Sequence, residues 1–342
     1  MKIPSISIIA ILLMSCSVNK QSKVSTKEKN DFVIAFGSCN RTDLPNLLWD
    51  DILNTKPDVW VWGGDNVYAD TNDMEALRIM YNEQNQNKEY KKLIESTEIV
   101  GTWDDHDYGL NDGGVEFEAK AESQQEFLNF MNVSMDSPLR KQEGVYSSKK
   151  YNLKEGRINL IILDTRYFRT ALTPDNETNK RVKPNEYGVG SVLGEIQWAW
   201  LEKELNHSKA DFNVIVSSVQ FLSNEHGFEA WGNFPHEVDR LENLISSSKA
   251  KGVIILSGDR HISEFSQVQL KNMDYPLIDF TSSGLTHAYK GFKGESNPYR
   301  VGEVIFTESF GTLEFDFSSR TVDFKIIGDN GVVLQKLEQH YE

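Results

Sequence analysis

From Asp31 onward, short apolar runs alternate with stretches whose apolar residues recur at helical spacing. Phe32-Val33-Ile34-Ala35-Phe36 is stopped by Gly37-Ser38-Cys39-Asn40, and Val59-Trp60-Val61-Trp62 by Gly63-Gly64-Asp65, so both read as buried strands opening into loops. Apolar runs at 99–103, 158–163, 212–217, 253–256 and 277–280 predict five more strands, nearly all ending in polar clusters. Helical spacing predicts helices over 44–55, 73–83, 119–131, 193–206 and 236–246. Strand and helix therefore alternate, which predicts a layered α/β sheet. The tail differs: 312–317, 321–326 and 332–337 read as an antiparallel meander with turns at Ser318-Ser319 and Asp329-Asn330-Gly331. The polar stretch 169–191 reads as a rim loop, and no linker or repeat follows residue 30.

The first residues are of another kind. Lys2 precedes an apolar run from Ile8 to Met14 that is too short to span a bilayer. A charged start, a short apolar stretch and small residues at the cut describe a secretory signal. The ending Leu13-Met14-Ser15-Cys16 resembles the lipobox of bacterial lipoproteins. Residues 1–15 are thus expected to be a removable signal, Cys16 the acylated first residue, and 16–30 a flexible tether to the bacterial cell envelope. The outer membrane or the periplasmic face is the expected location, with the membrane engaged through that lipid alone. Residues 31–342 then form one domain.

Composition narrows the functions open to that domain. The chain has 342 residues and a net charge of -15, a surface that repels phosphate backbones, so nucleic-acid binding through a basic face is disfavoured. An acidic protein that handles an anionic substrate needs a local positive source, and bound metal is the usual one. If Cys16 carries lipid, Cys39 is the one remaining thiol and has no intramolecular disulfide partner.

Strand ends carry the candidate chemistry, because open α/β sheets deliver side chains to a crevice at their carboxyl ends. Five ends hold metal-type ligands: Cys39; Asp65 with Tyr68; Asp104, Asp105, His106 and Asp107; Asp164 with Arg166; and Asp259 with His261. Each has a plainer reading when taken alone. Gly-Asp after a strand is commonly a turn or helix cap, Asp164 can cap a turn, and Tyr68 can be a core aromatic. Carboxylates at 104, 105 and 107 would repel one another in a partly dry cleft unless a multivalent cation joined them.

The ordered set Gly-Ser-Cys39, Gly-Asp65-x-x-Tyr68, Trp-Asp-Asp105-His106, Leu-Asp-Thr-Arg166, Gln197-Trp-x-Trp-Leu and Ser-Gly-Asp259-Arg-His261 resembles the alkaline phosphatase D (PhoD-like) family of metallophosphatases over about residues 31–337. The resemblance implies a metallophosphoesterase-type four-layer sandwich, two mixed β-sheets flanked by helices. It implies hydrolysis of phosphate mono- or diesters at a centre holding Fe(III) and calcium. The broader metallophosphatases open with Asp-x-His and close with His-x-His; here Cys39 and Asp259-x-His261 stand in those places, and Asp105 replaces the middle asparagine. A histidine expected after the Phe212 strand is missing, which leaves Gln220 as the nearest polar candidate for substrate contact.

Chemical roles follow beside the resemblance. A thiolate from Cys39 and a phenolate from Tyr68 suit Fe(III), while Asp65 can bridge to a second ion held by Asp105 and Asp259, where calcium fits. His261, two residues after Asp259, reaches either the iron or bound phosphate. Zinc or manganese is the alternative pair. Hydroxide between the ions is the expected nucleophile, His106 the acid for the leaving alkoxide, and Arg166 the fork for phosphate oxygens. His287 is a further candidate for substrate contact. The alternative function is a non-catalytic metal- or glycan-binding surface lipoprotein, the glycan face being Trp198, Trp200 and Trp231.

Overall fold

The computed structural model describes residues 30–341, so the expected signal, Cys16 and nearly all of the tether lie outside the described residues. In chain order the first strands are β1 (Phe32–Gly37), β2 (Val59–Gly63), β3 (Glu98–Thr102), β4 (Ser147–Asn152) and β5 (Arg157–Ile162). A two-residue ribbon, β6 (Thr173–Pro174) and β7 (Val182–Lys183), follows, and then β8 (Phe212–Val216), β9 (Val253–Ser257) and β10 (Ser263–Val268). The last are β11 (Leu277–Ser282), β12 (Arg300–Ile305), β13 (Ser309–Asp316), β14 (Thr321–Gly328) and β15 (Val333–His340). Helices are α1 (Trp49–Asn54), α2 (Met74–Gln86), α3 (Lys88–Ser96), α4 (Asp105–Tyr108), α5 (Lys120–Phe130), α6 (Gly194–Asn206) and α7 (Pro235–Ser247).

One sheet has the order β15-β14-β13-β1-β2-β3 and the other β12-β10-β11-β9-β8-β5-β4. Both are mixed. β1, β2 and β3 pair in parallel, as do β5, β8, β9 and β11; the edges at β15, β12 and β4 are antiparallel, and β3 is a parallel edge. Side-chain alternation along the strands separates the layers. In β2, Val59 and Val61 join Ile34, Phe36, Val214, Leu256 and Phe280 in the core between the sheets. Trp60 and Trp62 face the other way and pack with Trp49, Leu77, Tyr90 and Phe127 of the helices. A third core joins Ile215 and Ile255 to Leu201 of α6 and Leu241 of α7. The result is helix, sheet, sheet, helix, the expected four-layer sandwich.

The differences from the sequence reading are local. The helix expected over 44–55 shortens to α1, because the Asn46 side chain accepts from Leu48 N and holds that stretch in a turn. α3 is polar, with only Tyr90 and Leu93 buried, and was not predicted; the Asn87 side chain caps it at Glu89 N and Tyr90 N. Edge strands β4 and β12 and the buried polar strand β10 carry too few apolar residues to stand out.

Candidate metal centre

The loops after β1, β2, β3 and β9 meet at one end of the sandwich. Asn40 N donates to Asp65 O at 2.9 Å, and Gly284 N and Leu285 N donate to Ser38 O, which ties the first loop to the second and to the one after β11. Asp107 fixes the second loop against the third. Its Oδ1 accepts from Asp65 N and Asp104 N, and its Oδ2 from the Asn66 amide and the Tyr81 hydroxyl. Gly64 is required there: at φ +97°, a Cβ would meet the Asp104 Cβ at 2.5 Å. Cys39, Asp65, Asp259 and His261 all sit at positive φ, between 51° and 65°. Such strain clusters where surrounding structure enforces a functional geometry.

That geometry brings donor atoms together. The Cys39 Sγ is 3.3 Å from Asp65 Oδ2, the Tyr68 hydroxyl is 3.1 Å from the same oxygen, and it is 3.2 Å from His261 Nε2. His261 Nδ1 lies 2.9 Å from the His287 carbonyl, which can only accept; the proton therefore sits on Nδ1 and the Nε2 lone pair faces the cluster. One donor atom each from Cys39, Asp65 and His261 falls within a mutual 4.8 Å, and so does one each from Asp65, Asp105 and His106. A third such group is Asp65, Asp104, Asp105 and Asp259, so Asp65 belongs to all three.

Charge at the centre calls for cations. Burial, then the neighbouring Cys39, Asp105 and Asp104, pushes the Asp65 carboxyl well above its ordinary range. Burial likewise lifts Cys39 to about 11 and Asp259 to about 6. Asp105 runs against its burial: Arg166, His106 and hydrogen bonds from Asp112 N and the Asn111 amide hold it below the usual range. Bound cations would pull protons from the raised groups, as they do from any ligating thiol or carboxyl. The donor set fits two ions that share Asp65: sulfur, phenol and imidazole gather about it in one group, and carboxylates in another.

His106 stands at the mouth. Its Nδ1 is 2.8 and 2.9 Å from the two Asp70 oxygens, and its ring stacks on Tyr68 at 4.1 Å between centroids. Burial pushes the imidazole pKa down, but the Asp70 hydrogen bond and the charges of Asp65, Asp105 and Asp70 outweigh it and raise it to about 10. His287, half-buried, packs against Tyr68 and His261 at 5.0 and 4.4 Å between ring centroids. A groove of about 750 Å³ opens beside Asp70, lined by Thr71, Met74, Leu110, Glu116 and Phe117 among others.

Cys39, Asp65, Tyr68, Asp105, His106, Asp259 and His261 are thus brought together, with His287 beside them. Three expected placements are corrected. Arg166 does not present its fork to the cleft: it is fully buried, with Nε 2.5 Å from Asp104 Oδ1 and Nη1 2.6 Å from Glu229 Oε2. Gln220 is turned into the second sheet, donating to Glu264 and Thr281. Trp198 and Trp231 are wholly buried and pack on one another, because α6 and the segment before α7 need them as core, so they form no glycan platform. Arg260, flanked by Asp259 and His261, turns aside to Glu295 and Phe228. Sequence reasoning missed Asp70, whose only signal is an aspartate two residues after Tyr68.

With this geometry in place, one known family covers most of the chain. The model of the PhoD-like phosphatase family matches residues 34–324. Alkaline phosphatase D of Bacillus subtilis (strain 168) is 26% identical over 191 residues, 50% of this chain; the match spans 32% of that protein's length, about a third. Among solved structures, one of PhoD superposes with a TM-score of 0.71 at 18% identity, covering 91% of this chain and 68% of that one. GAP50, the anchor in the inner membrane complex of Plasmodium, gives 0.60 at 13% identity, covering 92% and 90%. A dimetal phosphatase from Danio rerio gives 0.55 at 13% identity, covering 92% and 100%. At these identities the structural likenesses establish the shared fold, and function has to be argued from the site.

Proposed function

The chain belongs to the PhoD-like phosphatase family, and from that premise we propose that it hydrolyses phosphate mono- or diesters at the Asp65-centred cluster with two bound metal ions. The observation that carries this reading is the sharing of Asp65 between the Cys39–His261 group and the all-carboxylate group. Fe(III) is the ion that the Cys39 thiolate and Tyr68 phenolate favour, and calcium suits the carboxylates; a zinc or manganese pair is the second assignment. Bound there, the ions would lower the pKa of an attacking water and clamp the attacking and leaving oxygens in line.

The chain's own residues do the rest. A carboxylate only accepts, so the His106 Nδ1 proton is held by Asp70, and Nε2 is the nitrogen left to deliver a proton to the departing alkoxide. The leaving alcohol has room in the groove beside Asp70. His287, whose ring packs on Tyr68, is the further candidate for contact with the ester substituent.

Elemental analysis of the chain from residue 31 onward, purified without a metal-affinity tag, tests the reading together with a screen of phosphate mono- and diesters. One iron per chain, calcium, a visible phenolate-to-iron band and ester hydrolysis are expected, and Tyr68→Phe should bleach the band. Two zinc or manganese ions with turnover would replace the cofactor assignment. Metal uptake without hydrolysis of any ester would favour the non-catalytic alternative.

Export and lipidation at Cys16 belong to the same proposal. β1 runs from the Asn30 end to the Cys39 loop, so a tether entering at residue 30 joins the sandwich at the end opposite the metal centre. Labelling with a radioactive fatty acid should mark the wild-type protein and leave Cys16→Ala unmarked; label retained by Cys16→Ala would remove the anchor.

A further inference from the structure

Asp104 precedes Asp105 and is wholly buried. Its two oxygens have opposite surroundings. Oδ1 accepts from Arg166 Nε at 2.5 Å and from the Ser218 hydroxyl at 2.8 Å. Oδ2 is buried and has no hydrogen-bond partner among the described residues. Asp105 repeats the pattern: Oδ2 accepts from the Asn111 amide at 2.8 Å and from Asp112 N at 2.7 Å, while Oδ1 is buried and bare. A buried carboxylate oxygen without a donor is costly, and four carboxylates with donor atoms within 4.8 Å of one another multiply the cost. Each of these two side chains has one oxygen fixed by the protein and one left over, the arrangement of a carboxylate oriented by outer hydrogen bonds toward an ion.

On the reading of this cluster as a two-metal centre, we infer that Asp104 is a ligand of the second cation and that Arg166 is its positioning residue. Arg166 extends the support backward: its Nη1 is 2.6 Å from Glu229, and Glu229 is 2.9 Å from Arg169 Nε. This buried chain alternates in sign, Asp104, Arg166, Glu229, Arg169, and compensates Asp104 through Oδ1, while a donor atom of Asp104 lies within 4.8 Å of one each from Asp65, Asp105 and Asp259. Arg166 is thereby explained without contact to substrate. With Asp65, Asp104, Asp105 and Asp259 all supplying oxygen, the second position selects a hard cation of flexible coordination such as calcium over zinc.

Asp104→Asn is the informative substitution. Arg166 and Ser218 are both donors, so the amide oxygen takes the Oδ1 place and the NH₂ replaces the facing oxygen, where it cannot ligate. Calorimetric titration of iron-loaded protein should show calcium affinity lower by about 100-fold, near the upper end of what losing even an outer-shell partner does to a metal site. The calcium-induced rise in Tm should shrink in step with the affinity and iron content should stay at the wild-type level; the metal-free Tm should fall, because the buried Arg166 loses a charged partner, whereas a merely structural Asp104 would lower that Tm and leave calcium affinity unchanged. Asp104→Glu keeps the ion pair with Arg166 and displaces the facing oxygen by a methylene. It should lose at least about tenfold and serves if the amide variant fails to fold. Calcium affinity within twofold of wild type in either folded variant overturns the inference. A wild-type protein that takes manganese or zinc but not calcium refutes the calcium assignment while titration with that ion still tests Asp104. One that takes no second divalent ion overturns both.

Discussion

Asp65→Asn is expected to lower kcat by about 1,000-fold or more on p-nitrophenyl phosphate and bis-p-nitrophenyl phosphate alike, with loss of at least one metal ion per chain. Asp65 belongs to all three donor groups, and its Oδ2 sits 3.3 Å from the Cys39 sulfur and 3.1 Å from the Tyr68 hydroxyl. An amide has a single oxygen to offer and cannot serve two ions. Lewis-acid stabilisation of a phosphoryl transition state is worth several kcal/mol, and about 4 kcal/mol corresponds to that thousandfold. The fold should persist, because asparagine accepts the φ of +51° that aspartate holds here. Burial already pushes the Asp65 carboxyl well up, so a neutral amide removes a cost from the metal-free protein. Its Tm without metal should be unchanged or higher, and metal should no longer raise it. Wild-type turnover and metal content in Asp65→Asn would eliminate Asp65 as the shared ligand.

The parts of this centre legible in the sequence were those set by strand ends. Val59-Trp60-Val61-Trp62 announces a strand buried on both faces, and Gly63-Gly64-Asp65 announces where it stops, so the placement of Asp65 follows from local pattern alone. The same holds for Cys39, Asp105, Asp259 and His261. What a side chain does after leaving its strand depends on partners far along the chain. Arg166 reads as a phosphate fork until Glu229 arrives from 63 residues away to claim it. Asp70 reads as loop until His106, 36 residues on, turns its Nδ1 to it. Asp104 was visible as one of three adjacent carboxylates, but which oxygens are bound and which are bare is a tertiary fact. Trp198 and Trp231 show the converse: aromatic residues that could have formed a platform are consumed by the α6–α7 core.

The tertiary pairing of Asp70 with His106 carries the second large effect. His106→Ala should reduce hydrolysis of an alkyl phosphate ester by about 10²–10⁴-fold, the range that a positioned general acid contributes. The same variant should lose less than about tenfold on a p-nitrophenyl ester, whose leaving group departs as a stable anion and needs no proton. The split matters because His106 also stacks on Tyr68, so its removal can disturb the donor set as well as the acid. Those two consequences separate experimentally. Loss of the acid spares the activated ester and the visible band, whereas displacement of Tyr68 shifts the band and slows both esters equally. Equal losses would therefore assign His106 to holding Tyr68 rather than to proton delivery. Asp70→Asn refines the distinction, since an amide still meets Nδ1 but no longer offers a charge to the imidazolium. It should fall between wild type and His106→Ala on the alkyl ester and match wild type on the nitrophenyl ester, an ordering that a purely steric role for His106 does not produce.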